Sequence, residues 1–255
     1  MTDRDAYYNK AKQEGYRSRA AYKLKQIDAT VDLFTPGDTV IDLGAAPGGW
    51  LQVAAEAVGP SGRVIGVDRQ RIEALEDHDV ETVRGDMTAD DTKAAIRDVA
   101  GEDIDVVVSD MAPDVTGEYD LDHARSVHLA RQALQTARDL LAPGGDFVVK
   151  VFDGRDFDAF VDDVDSEFEY ARSVRPDATR DSSSEVYVVG KAFLRIPVSV
   201  GEELDVEIDD VGKRGDGVAL VEGYTLFVPE TEPGDSVTVR VTDVTSNAGF
   251  AERIE

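Results

Sequence analysis

The chain has 255 residues, 42% of them hydrophobic, and carries 53 acidic against 27 basic residues for a net charge of −26. Such a length buries a real core and supports one large domain, or a large one plus a small one. With no cysteine there is no disulfide, thiolate nucleophile or thiolate metal site, and His78, His123 and His128 lack the i, i+4 spacing of a helical metal pair, so no metal is expected.

A charge this large repels itself unless concentrated salt screens it, since the Debye length falls to about 3 Å at 1 M. The composition is similar to that of proteins from salt-loaded, haloarchaeal-type cytoplasms, and most of the carboxylates read as solvated surface. Residues 1–25 are the exception: Arg4, Lys10, Lys12, Arg17, Arg19, Lys23 and Lys25 face only Asp3, Asp5 and Glu14, a net +4. A basic arm on a very acidic chain is suited to nucleic acid. The polar N-terminus has no apolar h-region, and no run approaches roughly 18 apolar residues; a soluble, cytoplasmic monomer without membrane contact is expected.

From about residue 38, short β-branched runs alternate with helical patterns. "DTVIDLG" (38–44), "GRVIGVD" (62–68), "VETVRGD" (80–86), "DIDVVVSD" (103–110), "GDFVVKVF" (145–152) and "SEVYVVG" (184–190) read as strands. Between them "GGWLQVAAEAVG" (48–59), "RIEAL" (71–75), "DTKAAIRDVAG" (91–101), "LDHARSVHLARQALQTARDLLAPGG" (121–145) and "FDAFVDDV" (157–164) read as helices, the longest stopping at Pro143-Gly144-Gly145. The alternation predicts an α/β fold whose mostly parallel sheet is covered on both faces, with ligands at the carboxyl ends of the strands. After Arg195 the helical period disappears; alternating valines and the turns "KRGDG", "VEGY" and "EPGD" predict a small five-stranded barrel of the oligonucleotide-binding (OB) type. The expected domains are residues 1–192 and 193–255.

"DLGAAPGGW" (42–50) looks like a dinucleotide-binding turn but replaces its middle glycine, and Pro47 removes a backbone donor. Asp42, Asp68, Asp86 and Asp110 stand at or just after successive strand ends. Four carboxylates there would repel a pyrophosphate, which disfavours a nicotinamide dehydrogenase, but they suit a cation with ribose hydroxyls: S-adenosylmethionine. Asp68 is placed to accept both ribose hydroxyls, and Asp86 the adenine amino group with Met87 on the ring. The glycines admit the methionine moiety, with Trp50 as the wall of its pocket. Any one of these aspartates alone is as well explained as a turn residue or helix N-cap; the joint pattern is what speaks for a ligand.

"SRAAYKL" (18–24), "DLGAAPGGW" (42–50), "SDMAP" (109–113), "VVKVF" (148–152) and "SSSEVYVV" (182–189) together resemble the FtsJ/RlmE-type RNA ribose 2′-O-methyltransferases in order and spacing. The resemblance covers residues 1 to about 192. It implies a class I S-adenosylmethionine-dependent methyltransferase fold, a Lys-Asp-Lys-Glu tetrad at Lys23, Asp110, Lys150 and Glu185, and cofactor contacts at Gly48, Trp50, Asp68, Asp86 and Asp110. It also implies a uridine of 23S rRNA in the large ribosomal subunit as target, with tRNA and mRNA-cap enzymes as relatives. "GDGVALVEGYTLFVPETEPGDSVTVRVTDVTSNAGFAE" resembles a TRAM domain, an RNA-binding barrel; here Lys213, Arg214 and Arg240 with Tyr224, Phe227 or Phe250 are the candidate RNA face. From Phe193 on there are 5 basic and 14 acidic residues, so stacking and short hydrogen bonds should outweigh phosphate attraction at high salt.

The chemistry gives the lysines work. A ribose hydroxyl must lose its proton as it attacks the sulfonium methyl in line. Lys150 can act as a general base if burial or a neighbouring cation, such as Lys23, keeps it neutral. Alternatively it stays charged and orients the oxygen while the proton leaves through a carboxylate or water. A non-catalytic RNA-binding protein is the competing reading, against which all four tetrad positions are filled.

Overall fold

The computed structural model describes residues 4–101, 103–180, 182–245 and 247–254. Asp3 of the N-terminal stretch and Glu255 lie outside the described residues, as do the side chains of Arg4 and Asp5. The chain forms two compact units, 1–193 and 194–255. No helix among the described residues is long and apolar enough to cross a membrane.

In the first unit seven strands, β1 (Thr39–Leu43), β2 (Arg63–Asp68), β3 (Glu81–Arg84), β4 (Ile104–Ser109), β5 (Leu141–Phe152), β6 (Phe168–Val174) and β7 (Glu185–Phe193), form one sheet in the order β3-β2-β1-β4-β5-β7-β6. The first five are parallel, and β7 runs antiparallel to β5 and β6. The helices are α1 (Arg4–Glu14), α2 (Ala21–Val31), α3 (Gly49–Val58), α4 (Asp90–Ala100), α5 (Tyr119–Leu140) and α6 (Phe157–Asp165). Alternation along the strands divides the core. Val40, Val64, Val106 and Val148 pack with the first three helices on one face, whereas Ile41, Ile65, Val107 and Val149 pack with α4, α5 and α6 on the other.

Several local expectations change. The basic N-terminal stretch packs on the core: Ala11, Tyr16, Tyr22, Leu24 and Ile27 are buried in the cluster that includes α3, while the exposed Lys10 lies over the Tyr22 ring and Lys25 pairs with Glu56 at 3.3 Å. "RIEAL" is not a helix. The carbonyls of Glu73 and Ala74 accept hydrogen bonds from the Arg17 guanidinium instead of closing a turn. The long helix stops at Leu140, and Leu141–Gly145 is already strand, because Pro143 has no N–H to continue a helix. β6 had no counterpart in the sequence reading; as the edge strand it is buried at its two ends and mostly open between them, so no period-2 signal marks it.

The second unit is an OB-like curled sheet of β8 (Glu203–Glu207), β9 (Asp210–Val211), β10 (Gly217–Val221), β11 (Tyr224–Val228), β12 (Ser236–Val244) and β13 (Gly249–Arg253), in the order β8-β12-β13-β11-β10-β9. Six strands stand where five were expected because residues 203–211 bend. β8 pairs with β12, β9 pairs with β10, and at the bend Ile208 N–H donates to the Asp235 carbonyl while Asp209 N–H donates to that of Val218. Val206, Ile208, Ala219, Leu226, Val228, Val239 and Val241 fill the interior.

Candidate active site

The loop after β1 explains itself through its own hydrogen bonds. Gly44 has φ +78°, and a Cβ there would lie 2.1 Å from Met111 Cγ, so neither the backbone angle nor the space admits a side chain. The Gly44 and Ala45 amides donate to the Val67 carbonyl and the Ala46 amide to Asp68 Oδ2 at 3.0 Å. These are the donors a phosphate-binding turn would present. Here they stitch the loop to the end of β2, so the turn is no pyrophosphate nest.

A cleft of about 1010 Å³ opens at the carboxyl ends of β1, β2, β3 and β4, a size typical of ligand sites. Asp68, Asp86, Met87, Asp110 and Met111 line it. Asp68 accepts from Ala46 N and from Gln70 N at 2.7 Å, which fixes the carboxylate while leaving further lone pairs toward the cleft. Asp86 Oδ1 accepts from the Thr88 hydroxyl at 2.7 Å and from the Thr88 amide, and these bonds hold its carboxyl below the usual aspartate range. Its Oδ2 has only the exposed Arg69, 3.9 Å away. Asp86 is thus a turn residue as well as part of the cleft wall.

Asp42 departs from the expected row of charged strand-end acids. It lies inside β1, 1% exposed, and its Oδ2 has no hydrogen-bond partner among the described residues. Burial, reinforced by Asp110 and Asp68, pushes its carboxyl well above the ordinary range. The acids that line the cleft are Asp68, Asp86, Asp110 and Asp114, and Asp42 is not among them.

Gly48 and Trp50 are also corrected in detail. The Trp50 indole is 3% exposed, donates to the Ala20 carbonyl at 2.8 Å and packs on the Tyr187 ring, so it braces α2 against the sheet and is not a wall of the cleft. Gly48, at φ +108°, is the residue before α3, and a Cβ there would lie 3.1 Å from the Arg17 guanidinium. What residues 48–50 can offer a ligand is the backbone at the start of α3, whose first N–H groups have no intrahelical acceptor.

Lys23, Asp110, Lys150 and Glu185 come together from α2, the end of β4, β5 and the start of β7. Lys150 Nζ donates to Asp110 Oδ1 at 3.0 Å and also to the Asp110 carbonyl. Lys23 Nζ donates to Glu185 Oε2 at 2.8 Å and lies 4.0 Å from Asp110 Oδ1. Both lysines are buried, at 7% and 6% exposure. Burial raises the Glu185 carboxyl, but the Lys23 ammonium beside it outweighs that and holds it below its ordinary value. The sequence reading missed Tyr187, which is fully buried and donates to Asp110 Oδ1 at 2.6 Å; burial and the Asp110 charge push its phenol well up. Its signal was the tyrosine inside "SSSEVYVV". Arg17 was also missed as a clasp: its guanidinium donates to the carbonyls of Pro47, Glu73 and Ala74, tying the N-terminal segment to two loops beside the cleft.

In the second unit the candidate RNA face narrows. Tyr224 belongs to the core, with its hydroxyl on the Thr245 carbonyl, and Arg240 is engaged by Glu203 at 2.6 Å and Glu252 at 3.7 Å. Phe227 and the exposed Phe250 stack at 5.7 Å, and a Cβ on Gly212, in the turn that carries exposed Lys213 and Arg214, would lie 3.0 Å from the Phe227 ring.

The strand order with its antiparallel seventh strand, and the acid-lined cleft at the carboxyl edge, define a class I S-adenosylmethionine-dependent methyltransferase fold followed by a TRAM barrel. More narrowly, the chain belongs to the FtsJ-like methyltransferase family, whose model matches residues 16–193, while the TRAM domain model matches residues 197–254. It is 66% identical over 256 residues to the ribosomal RNA large subunit methyltransferase E of Haloquadratum walsbyi, covering 100% of both chains. It is 49% identical to the protein of the same name from Methanocella arvoryzae, over 99% of this chain and 97% of that one. A crystal structure described as a ribosomal RNA methyltransferase from Plasmodium falciparum superposes with a TM-score of 0.62 at 25% identity, covering 70% of this chain and 99% of that one. The methyl donor is S-adenosylmethionine.

Proposed function

We propose that the protein transfers the methyl group of S-adenosylmethionine to the 2′-oxygen of a uridine ribose in 23S rRNA of the large ribosomal subunit. The observation that carries the reading is the convergence of Lys150, Lys23 and Tyr187 on Asp110 Oδ1, at the mouth of a cleft that Asp68 and Asp86 also line. The name shared by the full-length relatives supports rRNA of the large subunit as substrate.

The residues present suit the cofactor: Asp68 keeps lone pairs for two ribose hydroxyls, Met87 and Met111 offer apolar surface for a base, and Gly44 lets the loop after β1 pack on Met111 in the cleft wall. When bound, the sulfonium supplies an activated methyl and a neutral thioether leaving group. The chain's own part is alignment and charge. Asp110 accepts two hydrogen bonds at one oxygen and so fixes Lys150, whose Nζ spends two of its three N–H vectors on Asp110 and has one left for the ribose oxygen. This geometry favours Lys150 as the donor that orients the 2′-oxygen, with Lys23 stabilising the alkoxide that develops and a carboxylate or water taking the proton. Glu185 keeps Lys23 in place. Residues 1–193 form the catalytic unit, and the Phe227–Phe250 stack with Lys213 and Arg214 is the RNA face of the barrel.

Mapping ribose methylation across rRNA and tRNA before and after deletion of the gene tests the reading. Loss of one methyl mark in 23S rRNA is expected; loss confined to tRNA or to cap structures would replace the substrate, and an unchanged map would refute the activity.

A further inference from the structure

Beside the lysines lies a second recess, of about 360 Å³, lined by Arg19, Lys23, Arg180, Ser182, Ser183 and Glu185. On a chain of net charge −26 its sign is unusual. Among the described residues three of its side chains are cations, and the carboxylate, Glu185, is paired with Lys23 at 2.8 Å. The loop that forms its rim is held by arginines: Arg19 donates to the Ala178 carbonyl at 2.7 Å, and Arg175 donates to that of Ser183. The Ser183 amide donates to the Arg180 carbonyl at 2.9 Å. The Arg180 guanidinium and the Ser182 hydroxyl, by contrast, have no partner among the described residues, and both stand exposed at the mouth. Fixed backbone with free N–H and O–H donors over a cationic floor is the arrangement that receives a phosphate.

RNA chemistry says which phosphate. In a ribonucleotide the 2′-hydroxyl and the 3′-phosphodiester are on adjacent ribose carbons, so a sugar whose 2′-oxygen meets Lys150 and Lys23 has its 3′-phosphate within a few ångströms of the lysines. The recess shares Lys23 and Glu185 with the catalytic cluster. We infer that the Arg19–Arg180–Ser182–Ser183 recess binds the 3′-phosphodiester of the nucleotide being methylated. The inference rests on the RNA 2′-O-methyltransferase reading above. It makes Arg180 a residue that contributes affinity for the RNA, a role distinct from that of the lysines.

The test is steady-state methyl transfer from tritiated S-adenosylmethionine to unmodified large-subunit rRNA made by transcription, across a series of KCl concentrations. It compares wild type with Arg180→Ala, Arg180→Glu, Arg180→Lys and Ser182→Ala, and calorimetric titration of S-adenosylmethionine runs on each variant. Arg180→Ala should raise the KM for RNA about tenfold, Arg180→Glu further, Ser182→Ala a few-fold, and Arg180→Lys should restore most of the loss. The salt dependence of log KM should become shallower by about 0.7 in Arg180→Ala, one single-strand phosphate contact. Maximal rate and cofactor affinity should not move, because Arg180 is exposed and lies outside the cleft. An active wild type whose KM is unchanged by Arg180→Glu overturns the recess alone, as does a fall in kcat with KM constant. A folded wild type that binds the cofactor but methylates no RNA overturns the underlying reading and the recess with it.

Discussion

The carboxyl edge of the sheet has two halves that use the same residue type in opposite ways. At the ends of β2 and β3, Asp68 and Asp86 are held by hydrogen bonds from amides and a hydroxyl, and the nearest cation, Arg69, is exposed and 3.9 Å from Asp86. At β4 and β7, Asp110 and Glu185 are covered by two buried lysines and a tyrosine. On the proposed function, the half that takes a positively charged cofactor leaves Asp68 and Asp86 without a close cation, and the half that must admit a polyanion compensates its acids. On a strongly acidic protein the second arrangement is the demanding one, since every uncompensated carboxylate there would repel RNA.

The largest effects should come from removing a cation from the compensated half. Lys150→Ala is expected to lower the methyl-transfer rate about 10³-fold with the cofactor Kd unchanged, measured by single-turnover transfer alongside calorimetry. A variant that retained near-wild-type rates would show that Asp110 and Lys150 pair for stability only. On the uncompensated half the split reverses. Asp68→Ala should weaken S-adenosylmethionine binding roughly 10- to 100-fold, as expected for a lost charge-assisted pair of hydrogen bonds. At saturating cofactor most of the rate should return, and if it does not, Asp68 is doing something other than binding.

Arg17 tests whether the two halves depend on the loops between them. Its guanidinium binds three carbonyls in two loops next to the start of α3. Arg17→Ala should cost about 1 kcal/mol of stability in denaturant unfolding and raise the cofactor Kd a few-fold, with Arg17→Lys only partly restoring either, because an ammonium lacks the planar fork.

How much of this was written in the sequence follows from the range of the interactions. The strand runs ending in Asp68 and Asp110 could be read because a buried parallel strand is a local pattern of β-branched residues with a turn at its end. The tetrad was legible only through the wording of separate motifs, since Lys23 and Glu185 are 162 positions apart and nothing local makes them meet. "RIEAL" misled for the same reason: its carbonyls are claimed by Arg17, 56 and 57 residues away, and no window of helical propensity contains that competitor. β6 was invisible because an edge strand has one neighbour and little buried face. Trp50 and Asp42 show the limit from the other side. Each sits in the cofactor-like turn, yet burial assigns the indole to packing and pushes the carboxyl up, and burial is a property of the assembled sheet.

Asp42 supplies the finest test, because it should titrate in the direction opposite to Asp86. Burial raises the Asp42 carboxyl in the folded chain, whereas the Thr88 bonds lower that of Asp86. A raised folded value means the folded state holds its proton over a window where the unfolded chain has released it. The stability tied to Asp42 is therefore fully present below about pH 3.9, the unfolded value, and is lost as pH rises toward the folded value, at about 1.4 kcal/mol per pH unit within that window. For Asp86 the stability is present above the unfolded value and lost as pH falls through the folded one. Many other carboxylates titrate in the same range, so the measurement is a difference: denaturant unfolding in high salt over a pH series, for wild type against Asp42→Asn and against Asp86→Asn. The wild-type-minus-Asn difference should decline with rising pH for Asp42 and climb with rising pH for Asp86. Two trends of the same sign would mean that the sheet does not raise the Asp42 carboxyl.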